Sequence, residues 1–314
     1  MLYRTLGNTD LSVSVIGLGC NNFGGRLDLE ATRRVVHAAL DAGITLFDTA
    51  DIYGERGGSE RFLGETLGAW RKDIVLVTKF GLPMDADGKL QGGSRAYVMR
   101  ALEASLARLR TEWIDHYYLH RPDPATPIEE TLRALDDLIR QGKVRTIGCS
   151  NFTAAQVAEA QSTATRAGVH AFVSCQDQYN LLSRGIERDL FPAIKTHGLS
   201  LLPYFPLASG LLTGKYQRDV PMPPDARLAN RRYSDRFVSE ENWAIVERLR
   251  NFCAQRGRSM LQLAFSWLLA RPFVASVIAG ASTPDQVMQN VGTVGSTLNA
   301  DELAEIDRLA VGAA

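Results

Sequence analysis

Residues 114–149 read IDHYYLHRPDPATPIEETLRALDDLIRQGKVRTIGC, and this segment decides the fold. It opens with an apolar run over residues 114–120 and closes with another over residues 144–149. Between them, residues 127–141 carry apolar side chains at helical spacing. Continuous apolar runs of this kind are typical of parallel strands that are covered on both faces. The segment therefore predicts a strand, a helix and a second, parallel strand.

The helix in this segment has its own start and stop signals. Thr126 can cap it, Pro127 suits the first helical position, and Glu129 completes a Thr-x-x-Glu capping box. Gly142 follows the pattern, at a position where glycine commonly ends a helix. These signals predict a helix over residues 127–141.

The same alternation repeats along the chain. Apolar runs occupy residues 15–19, 44–48, 74–79, 114–120, 144–149, 172–176, 199–204 and 274–278. Helical patterns occupy residues 29–42, 59–70, 94–109, 127–141 and 153–167. Repeated strand–helix units predict a parallel sheet of the α/β class, and eight strands favour closure into a (β/α)8 TIM barrel. An open doubly wound sheet is the alternative, although no strand is followed by the GxGxxG fingerprint of that fold.

Some segments lie outside the repeat. Residues 2–5 and 11–14 predict a short N-terminal β-hairpin. Residues 210–237 are long and contain several prolines, which predicts a mobile surface loop of the functional kind. Residues 258–270 predict an extra apolar helix whose large side chains belong to the core. With these additions we expect a single barrel domain over residues 1–314.

Composition narrows the classes of function. Lys plus Arg and Asp plus Glu both number 35, and the zero net charge argues against a nucleic-acid partner or an anionic membrane surface. The N-terminus lacks the apolar region of a signal peptide, and no apolar run approaches the roughly 20 residues that cross a bilayer. The four cysteines are far apart, which disfavours a metal site or a disulfide framework. We therefore expect a cytoplasmic protein without a bound metal.

Polar residues close several of the predicted strands, and the carboxyl ends of strands carry the chemistry of eight-stranded barrels. Asp48 ends the second apolar run and is followed by Tyr53, while Lys79 and His120 end the next two runs. Each alone has a structural explanation, such as a turn cap, a packing aromatic, a surface lysine or a core histidine. In a barrel the four side chains would converge on one mouth. The remaining strand-end residues are Ser150, Asn151, Gln176, Tyr204, Gly280 and Ser282.

These strand ends lie in motifs by which the chain resembles the aldo-keto reductase family along essentially its whole length. The motifs are FDTADIYG (47–54), VTKFG (77–81), YYLHRPD (117–123), IGCSNF (147–152), QDQYN (176–180), PYFPLASGLLTGKY (203–216) and IAGASTPDQVMQN (278–290). The branch of potassium-channel β subunits is similar as well. The resemblance implies reduction of an aldehyde or ketone, or the reverse reaction. It assigns the catalytic tetrad to Asp48, Tyr53, Lys79 and His120.

The resemblance also implies a nicotinamide cofactor and the residues that bind it. Tyr204 would stack on the nicotinamide ring, and Ser150, Asn151 and Gln176 would hold its carboxamide. Packing beside Phe205 is the alternative for Tyr204. The complete implied set is Cys20, Asn21, Asp48, Ser150, Asn151, Gln176, Tyr204, Phe205, Pro206, Leu207, Ser209, Gly210, Leu211, Lys215, Arg227, Gly280, Ser282, Gln286, Gln289 and Asn290.

The choice between NADP(H) and NAD(H) depends on the last of these segments. Many family members have Arg or Lys there, whereas this chain has Gly280, Thr283 and Gln286. The resemblance to the channel-like branch implies that an arginine from the mobile loop assists cofactor binding instead. Arg227 is the candidate in this chain, with a solvated loop charge as the alternative. A helix start after Ser282 would also favour an anionic 2′-phosphate. We therefore predict NADP(H) in preference to NAD(H).

The predicted chemistry assigns a role to each tetrad residue. Tyr53 would be the general acid, with its pKa lowered by the cation of Lys79, which Asp48 would hold in place. His120 would hydrogen-bond the substrate oxygen. A nucleotide-sensing protein with incidental turnover is the alternative. A metal-dependent hydrolase or isomerase is disfavoured because the chain has five histidines and only one closes a predicted strand.

The substrate itself is not specified by the sequence. Its contacts would come from loops over residues 21–27, 82–93, 122–126 and 220–237. These loops and their edges contain Phe23, Arg26, Met84 and Arg121, which predicts a partly apolar pocket for a small carbonyl or alcohol. The sequence leaves open whether the protein forms a homo-oligomer.

Overall fold

Two short antiparallel strands precede the main sheet. In the computed structural model, which describes residues 1–224 and 226–311, β1 (Tyr3–Thr5) pairs with β2 (Ser12–Ser14). Residue 225 of the predicted loop and residues 312–314 of the predicted domain lie outside the described part. The predicted N-terminal hairpin is confirmed.

Eight parallel strands form the main sheet. They are β3 (Ile16–Gly19), β4 (Leu46–Asp48), β5 (Val75–Phe80), β6 (Ile114–Leu119), β7 (Val144–Ser150), β8 (Ser174–Gln176), β9 (Ser200–Leu201) and β10 (Val277–Gly280). From β3 to β9 each strand pairs with the next one along the chain, and β10 pairs with β3. All of these pairings are parallel, as the continuous apolar runs predict.

Backbone hydrogen bonds close the sheet into a ring. The Leu201 N–H of β9 donates to the Phe273 carbonyl at 2.7 Å, and the Ala275 N–H donates back to the Leu201 carbonyl at 3.1 Å. Within β10, the Ile278 N–H donates to the Pro203 carbonyl at 3.2 Å. The two outer strands therefore meet, which confirms the eight-stranded barrel and excludes the open doubly wound alternative.

Helices surround the barrel. They are α1 (Leu29–Asp41), α2 (Tyr53–Thr66), α3 (Arg95–Leu109), α4 (Ile128–Arg140), α5 (Ala154–Ala167), α6 (Ile186–His197), α7 (Arg231–Phe237), α8 (Glu240–Gln255), α9 (Met260–Leu269), α10 (Pro284–Val291) and α11 (Ala300–Leu309). Short 3₁₀ segments occupy Gly68–Asp73, Ala208–Thr213 and Arg227–Ala229. Side-chain caps fix several helix starts; Ser94 accepts the N–H of Tyr97, and Thr153 forms a capping box with Gln156.

The hairpin closes the amino-terminal end of the barrel. Leu6, Leu11 and Val13 from the hairpin region are buried in one cluster with barrel residues that include Leu46 and Tyr118. Farther along the axis, the His116 ring is hydrogen-bonded on both nitrogens, to Thr146 Oγ1 and Ser174 Oγ, each at 2.8 Å.

Gly148 makes room for this packing. A Cβ at that position would lie 2.4 Å from the Tyr118 ring and 2.7 Å from His116 Nε2, so the inward side chains of β6 require glycine on β7. One end of the barrel interior is therefore filled and apolar, and the carboxyl ends of the strands form the opposite rim.

The predicted capping box of α4 is wrong. The Thr126 hydroxyl donates to Asp123 Oδ2 at 2.7 Å, and Pro127 precedes the first residue of α4 without any side-chain cap. Asp123 also accepts the N–H groups of Gly93 and Ala125, so this carboxylate organises the loop and engages the Thr126 hydroxyl. Glu129 pairs with Arg133 one turn later instead of closing a cap.

The region over residues 210–237 contains more helical structure than its proline content predicts. It contains part of one 3₁₀ segment, the whole of a second and the whole of α7, whose first turn is capped by Asn230. Leu228 and Phe237 anchor it, each 1% exposed. The prediction of a loop is therefore wrong for Arg227–Ala229 and Arg231–Phe237, whereas residues 214–224 contain no helix or strand. The extra apolar helix is confirmed as α9, whereas α6, α8 and α11 were not predicted.

Candidate active site

A buried ion pair lies at the carboxyl ends of β4 and β5. Lys79 is fully buried, and its Nζ donates to Asp48 Oδ2 at 2.8 Å and to the Thr49 carbonyl at 2.7 Å. The second oxygen of Asp48 accepts from Gln176 Nε2, also at 2.8 Å. β4 and β5 are parallel neighbours with Asp48 in register with Val77, so Lys79 lies two residues farther along β5 and on the same face as Val77. Both carboxylate oxygens are thus satisfied, as burial of a charge requires.

Tyr53 and His120 lie beside this pair. Lys79 Nζ is 5.0 Å from the centre of the Tyr53 ring, and the Tyr53 and His120 ring centres are 5.9 Å apart and nearly perpendicular. Tyr53 is the first residue of α2, and left-handed backbone at residues 54–57 turns the chain away from it. The four residues predicted as a tetrad therefore meet at one point, although they come from three separate parts of the sequence.

The electrostatics of the cluster differ from the sequence prediction at Tyr53. Burial raises the pKa of Tyr53, and the charge and hydrogen bonding of Lys79 lower it but do not outweigh the burial. The predicted lowering by Lys79 is therefore present, but burial outweighs it and leaves the pKa of Tyr53 above its ordinary value. For Lys79, burial lowers the pKa, but Asp48 and Tyr53 outweigh it and leave the pKa raised. At neutral pH the cluster thus holds Tyr53 as a neutral phenol and Lys79 as an ammonium.

His120 is a neutral imidazole in this environment. Burial lowers its pKa well below the ordinary value, and the charges of Lys79 and Arg121 lower it further. Its Nδ1 is buried and has no hydrogen-bond partner within the described residues. The backbone fixes the residue, because its N–H donates to the Phe80 carbonyl at 2.9 Å and its carbonyl accepts from Asn151 Nδ2 at 3.0 Å. A neutral ring held in this way can donate or accept one hydrogen bond at the cavity.

A hydrogen-bonded row continues along the rim from β7 to β9. Asn151 Nδ2 donates to Ser150 Oγ at 2.9 Å, and Ser150 Oγ donates to the Gln176 carbonyl at 2.7 Å. The Tyr204 hydroxyl donates to Asn151 Oδ1 at 2.7 Å, which fixes the Tyr204 ring at the cavity wall. Asn151 has left-handed backbone, with φ of 61°, so this row is held in a strained conformation.

A cavity of about 1470 Å³ opens on this rim. Of the predicted catalytic and cofactor residues, all but two line it. Those that do are Cys20, Asn21, Asp48, Tyr53, His120, Ser150, Asn151, Gln176, Tyr204, Phe205, Pro206, Leu207, Ser209, Gly210, Lys215, Arg227, Gly280, Ser282, Gln286, Gln289 and Asn290. Lys79 lies beneath the surface of the cavity, and the Leu211 side chain is buried in the core at 1% exposure.

One arm of the cavity runs over the 3₁₀ segment Ala208–Thr213. Ser209 and Gly210 have positive φ values of 57° and 102°, and the buried Ser209 Oγ has no hydrogen-bond partner in the described part of the chain. Lys215 lies close by, within about 3.3 Å of a Cβ built on Gly210. An unpartnered hydroxyl, a glycine backbone and an ammonium together form a surface that suits an anionic group.

The same arm continues to Arg227 and the start of α10. Arg227 Nη2 reaches Asn22 Oδ1 at 3.5 Å, and its guanidinium lies 4.9 Å from the centre of the Tyr233 ring. Across from it, Gln286 Oε1 accepts from the Ser282 N–H at 2.8 Å. The predicted cofactor residues of the last segment therefore line the same cavity as Arg227.

Several lining residues were not singled out from the sequence. Arg232, Tyr233 and Arg236 of α7 all face the cavity, and Arg232 and Arg236 are four residues apart, the spacing of one helix face. This spacing could have indicated from the sequence that the two arginines share one face. It does so only if the segment is helical, and the sequence did not predict a helix there. Of the four residues named for substrate contact, Arg26 and Arg121 line the cavity. Phe23 is buried in the core, and Met84 does not line it.

Comparison with known proteins shows the family of this chain. Residues 15–311 match the model of the Aldo/keto reductase family. The chain belongs to that family. It is 36% identical over 300 residues to "Probable voltage-gated potassium channel subunit beta" of Oryza sativa subsp. japonica, covering 93% of this chain and 90% of that protein. It is 35% identical over 321 aligned positions to "L-glyceraldehyde 3-phosphate reductase" of Escherichia coli strain K12, covering 98% of this chain and 92% of that protein.

Within residues 1–224 and 226–311, no group of three or more His, Cys, Asp or Glu side chains is placed to hold a metal ion. Over the same residues, none of the helices is both long enough and apolar enough to span a bilayer.

The cavity fits the nicotinamide cofactor typical of this aldo/keto reductase family. Its volume of about 1470 Å³ exceeds the roughly 300–1,000 Å³ of an ordinary small-molecule pocket, which leaves room for a dinucleotide and a small substrate. The unpartnered Ser209 Oγ on one arm and the unpartnered His120 Nδ1 at the tetrad are polar atoms that a ligand could satisfy.

Proposed function

We propose that the chain is an NADP(H)-dependent oxidoreductase that reduces an aldehyde or ketone to an alcohol, or catalyses the reverse reaction. The proposal depends on one observation: Lys79 lies between Asp48 and Tyr53, and Tyr53 lies beside His120 at the cavity wall. When bound, the nicotinamide supplies the hydride, and the chain must supply a proton and orient the carbonyl.

Tyr53 is the proton donor in this proposal. Its raised pKa keeps the phenol protonated at neutral pH, so the proton is present when the substrate arrives. As the proton leaves, the adjacent Lys79 ammonium stabilises the phenolate that forms. Asp48 holds that ammonium in place. The His120 imidazole is neutral and can hydrogen-bond the substrate oxygen without a competing charge.

The remaining lining residues hold the cofactor in this proposal. Ser150, Asn151 and Gln176 form the polar row at the tetrad, and Tyr204 provides an aromatic face fixed by its bond to Asn151. Ser209, Gly210 and Lys215 suit the pyrophosphate. Arg227, beside Asn22 and Gly280, suits a 2′-phosphate and supports NADP(H) over NAD(H).

The proposal is tested by cofactor oxidation with a panel of aldehydes, ketones, sugars and quinones, using NADPH and NADH in parallel. We expect turnover with NADPH and a loss of roughly 10²–10⁴-fold in Tyr53→Phe, the size of a general acid's contribution. Tyr97→Phe removes a phenol that does not line the cavity and serves as the matched control. Turnover in Tyr53→Phe equal to that of the control would refute the assignment.

Cofactor preference is tested separately. Arg227→Gln should weaken NADPH binding and leave NADH binding unchanged, because only NADPH carries the 2′-phosphate. Equal weakening of both, or tighter binding of NADH by the unmodified protein, would refute the NADP(H) preference.

A second function is favoured by the similarity to the rice protein named as a channel subunit. The same cavity could bind a nucleotide as a regulatory signal, with turnover incidental. Tight NADPH binding, no turnover on any carbonyl and a stoichiometric co-purifying partner would favour this alternative.

A further inference from the structure

The cavity wall carries an excess of positive charge. Its cationic lining residues are Arg26, Arg121, Lys215, Arg227, Arg232 and Arg236. Among the described lining residues, the only acidic one is Asp48, and Lys79 neutralises it at 2.8 Å. A cavity lined in this way attracts anions.

The proposed cofactor does not account for all of this charge. Lys215 lies at the Ser209–Gly210 arm and Arg227 lies beside Asn22, so both are on the arm proposed for the phosphates. Arg121 directly follows His120 of the tetrad, and Arg236 contacts Gln178, which pairs with Tyr204 at the rim.

Hydrogen bonds connect the surroundings of Arg121 and Arg236 to the tetrad, because Asn151 accepts from the Tyr204 hydroxyl at 2.7 Å and donates to the His120 carbonyl at 3.0 Å. Arg121 directly follows His120 and contributes to the lowered pKa of that imidazole. Burial and Asp177 raise the pKa of Tyr204, and the charges of Arg236 and Arg121 act against them. Both guanidinium groups are therefore close to the wall against which a carbonyl substrate would lie.

Neither arginine has an acidic partner. Within residues 1–224 and 226–311, no ion pair involves Arg121 or Arg236, whereas arginines on the outer faces, such as Arg184 and Arg256, pair with glutamates. Arg236 donates to the amide oxygen of Gln178, and its guanidinium lies 5.1 Å from the centre of the Phe205 ring. A guanidinium has five N–H donors, so most of those of Arg236 stay available to a ligand.

We propose that the substrate is an anionic carbonyl compound whose phosphate or carboxylate is held by Arg121 and Arg236 while its carbonyl lies at Tyr53 and His120. The proposal rests on the proposed reductase function and adds the class of substrate. The planar fork of arginine matches both anions in two-point contacts. Because the two side chains are exposed, the preference should weaken as the salt concentration rises.

The test compares three aldehydes that differ in one substituent: 4-methylbenzaldehyde, 4-carboxybenzaldehyde and 4-formylphenyl phosphate. The unmodified protein is compared with Arg121→Gln/Arg236→Gln, each assayed with saturating NADPH. Arg231→Gln is the matched control, because Arg231 is an exposed arginine of the same helix α7 that does not line the cavity. Comparing each aldehyde across variants cancels its intrinsic reactivity.

We expect kcat/KM for at least one anionic aldehyde to fall by about tenfold or more in the double variant, as the loss of charge-assisted hydrogen bonds implies. The neutral aldehyde should change by less than about twofold, and Arg231→Gln should change none of the three. The larger fall identifies phosphate or carboxylate as the preferred group. Equal effects on the neutral and anionic aldehydes in the double variant would overturn the proposal.

A binding measurement separates failure of this proposal from failure of the reductase function. Phenyl phosphate and benzoate, which cannot be reduced, are titrated calorimetrically into the protein saturated with NADP⁺, with benzyl alcohol as the neutral probe. Binding of either anion that is lost in the double variant supports the anion site even if no aldehyde is turned over. No binding of either anion to the unmodified protein, or binding that the double variant retains, contradicts it.

Discussion

The same strands form both ends of the barrel, but apolar side chains fill the amino end, whereas charged and polar side chains lie at the carboxyl end. At the amino end, Leu6, Leu11 and Val13 pack into an apolar cluster with the inward side chains of the strands. At the carboxyl end, a buried Lys79–Asp48 pair lies beside a histidine with an unpartnered nitrogen. The amino end stabilises the fold, whereas the carboxyl end holds groups that are costly to bury and useful for chemistry.

Part of the backbone strain lies at the carboxyl end. Asn151, Phe205, Ala208 and Ser209 have left-handed φ values between 45° and 61° and lie on or next to the cavity rim. Such residues cost free energy and persist only where the surrounding structure holds them. The difference between the ends therefore predicts that substitutions at the amino end change stability alone, while those at the rim change turnover and binding.

Removal of the Lys79 ammonium should have the largest effect. Lys79→Met leaves the Asp48 carboxylate buried without its cation, so we expect the free energy of unfolding to fall by about 3–5 kcal/mol and turnover to be largely lost. Asp48→Asn/Lys79→Met removes both charges and should regain most of the stability without regaining turnover. Urea unfolding and NADPH oxidation measure the two effects. A single variant as stable as the unmodified protein would contradict the prediction.

At the amino end, Leu6→Ala should reduce stability and spare catalysis. Leu6 is fully buried in the interior cluster, so we expect the free energy of unfolding to fall by about 2–5 kcal/mol. The kcat of the folded fraction should stay within about twofold of the unmodified value, because no site residue is touched. Leu2→Ala, at a position that is 56% exposed, is the control and should change stability by less than about 0.5 kcal/mol. A large loss of kcat in Leu6→Ala would contradict the prediction that the amino end affects stability and not turnover.

His116, between the two ends, should make stability depend on pH. Burial, with a smaller contribution from Lys79, lowers the pKa of His116 to about 3, against about 6.5 in the unfolded chain. The unfolded state therefore takes up the proton first as pH falls. The stability due to a neutral His116 is complete above about pH 6.5 and is lost progressively as pH falls toward 3.

The pH effect is measured by urea unfolding at pH 7 and pH 4.5. His116→Gln should lose less stability between these pH values than the unmodified protein, since it has no histidine to protonate at this site. His37→Gln replaces an exposed histidine of α1 and controls for the loss of any histidine. Identical losses in His116→Gln and the unmodified protein would exclude this contribution.

Relief of strain at Ser209 should have the smallest effect. Ser209→Gly removes a left-handed serine and its unpartnered hydroxyl, so we expect the free energy of unfolding to rise by up to about 1 kcal/mol and NADPH binding to weaken. Asp219→Gly relieves the same kind of strain, at φ of 60°, away from the cavity lining, and should leave the NADPH Kd unchanged. Unchanged NADPH binding in Ser209→Gly would remove Ser209 from the proposed phosphate arm.

The sequence predicted the barrel well because its signals were local and repeated. Each parallel strand is an apolar run, and the polar residue after it had to lie at one rim, which located Asp48, Lys79 and His120. The α4 cap could not be predicted, because the partner of Thr126 is an aspartate in the preceding loop whose geometry only the fold defines. The raised pKa of Tyr53 was also missed, since burial depends on how closely the whole rim packs around the phenol.

The central claim is that Tyr53 supplies the proton at the cavity, and stopped-flow measurement of NADPH oxidation in a single turnover tests it most directly. The account predicts that Tyr53→Phe binds NADPH with the same Kd as the unmodified protein and oxidises it roughly 10²–10⁴-fold more slowly with the same carbonyl substrate. Oxidation at the unmodified rate, with Kd also unchanged, would contradict the account.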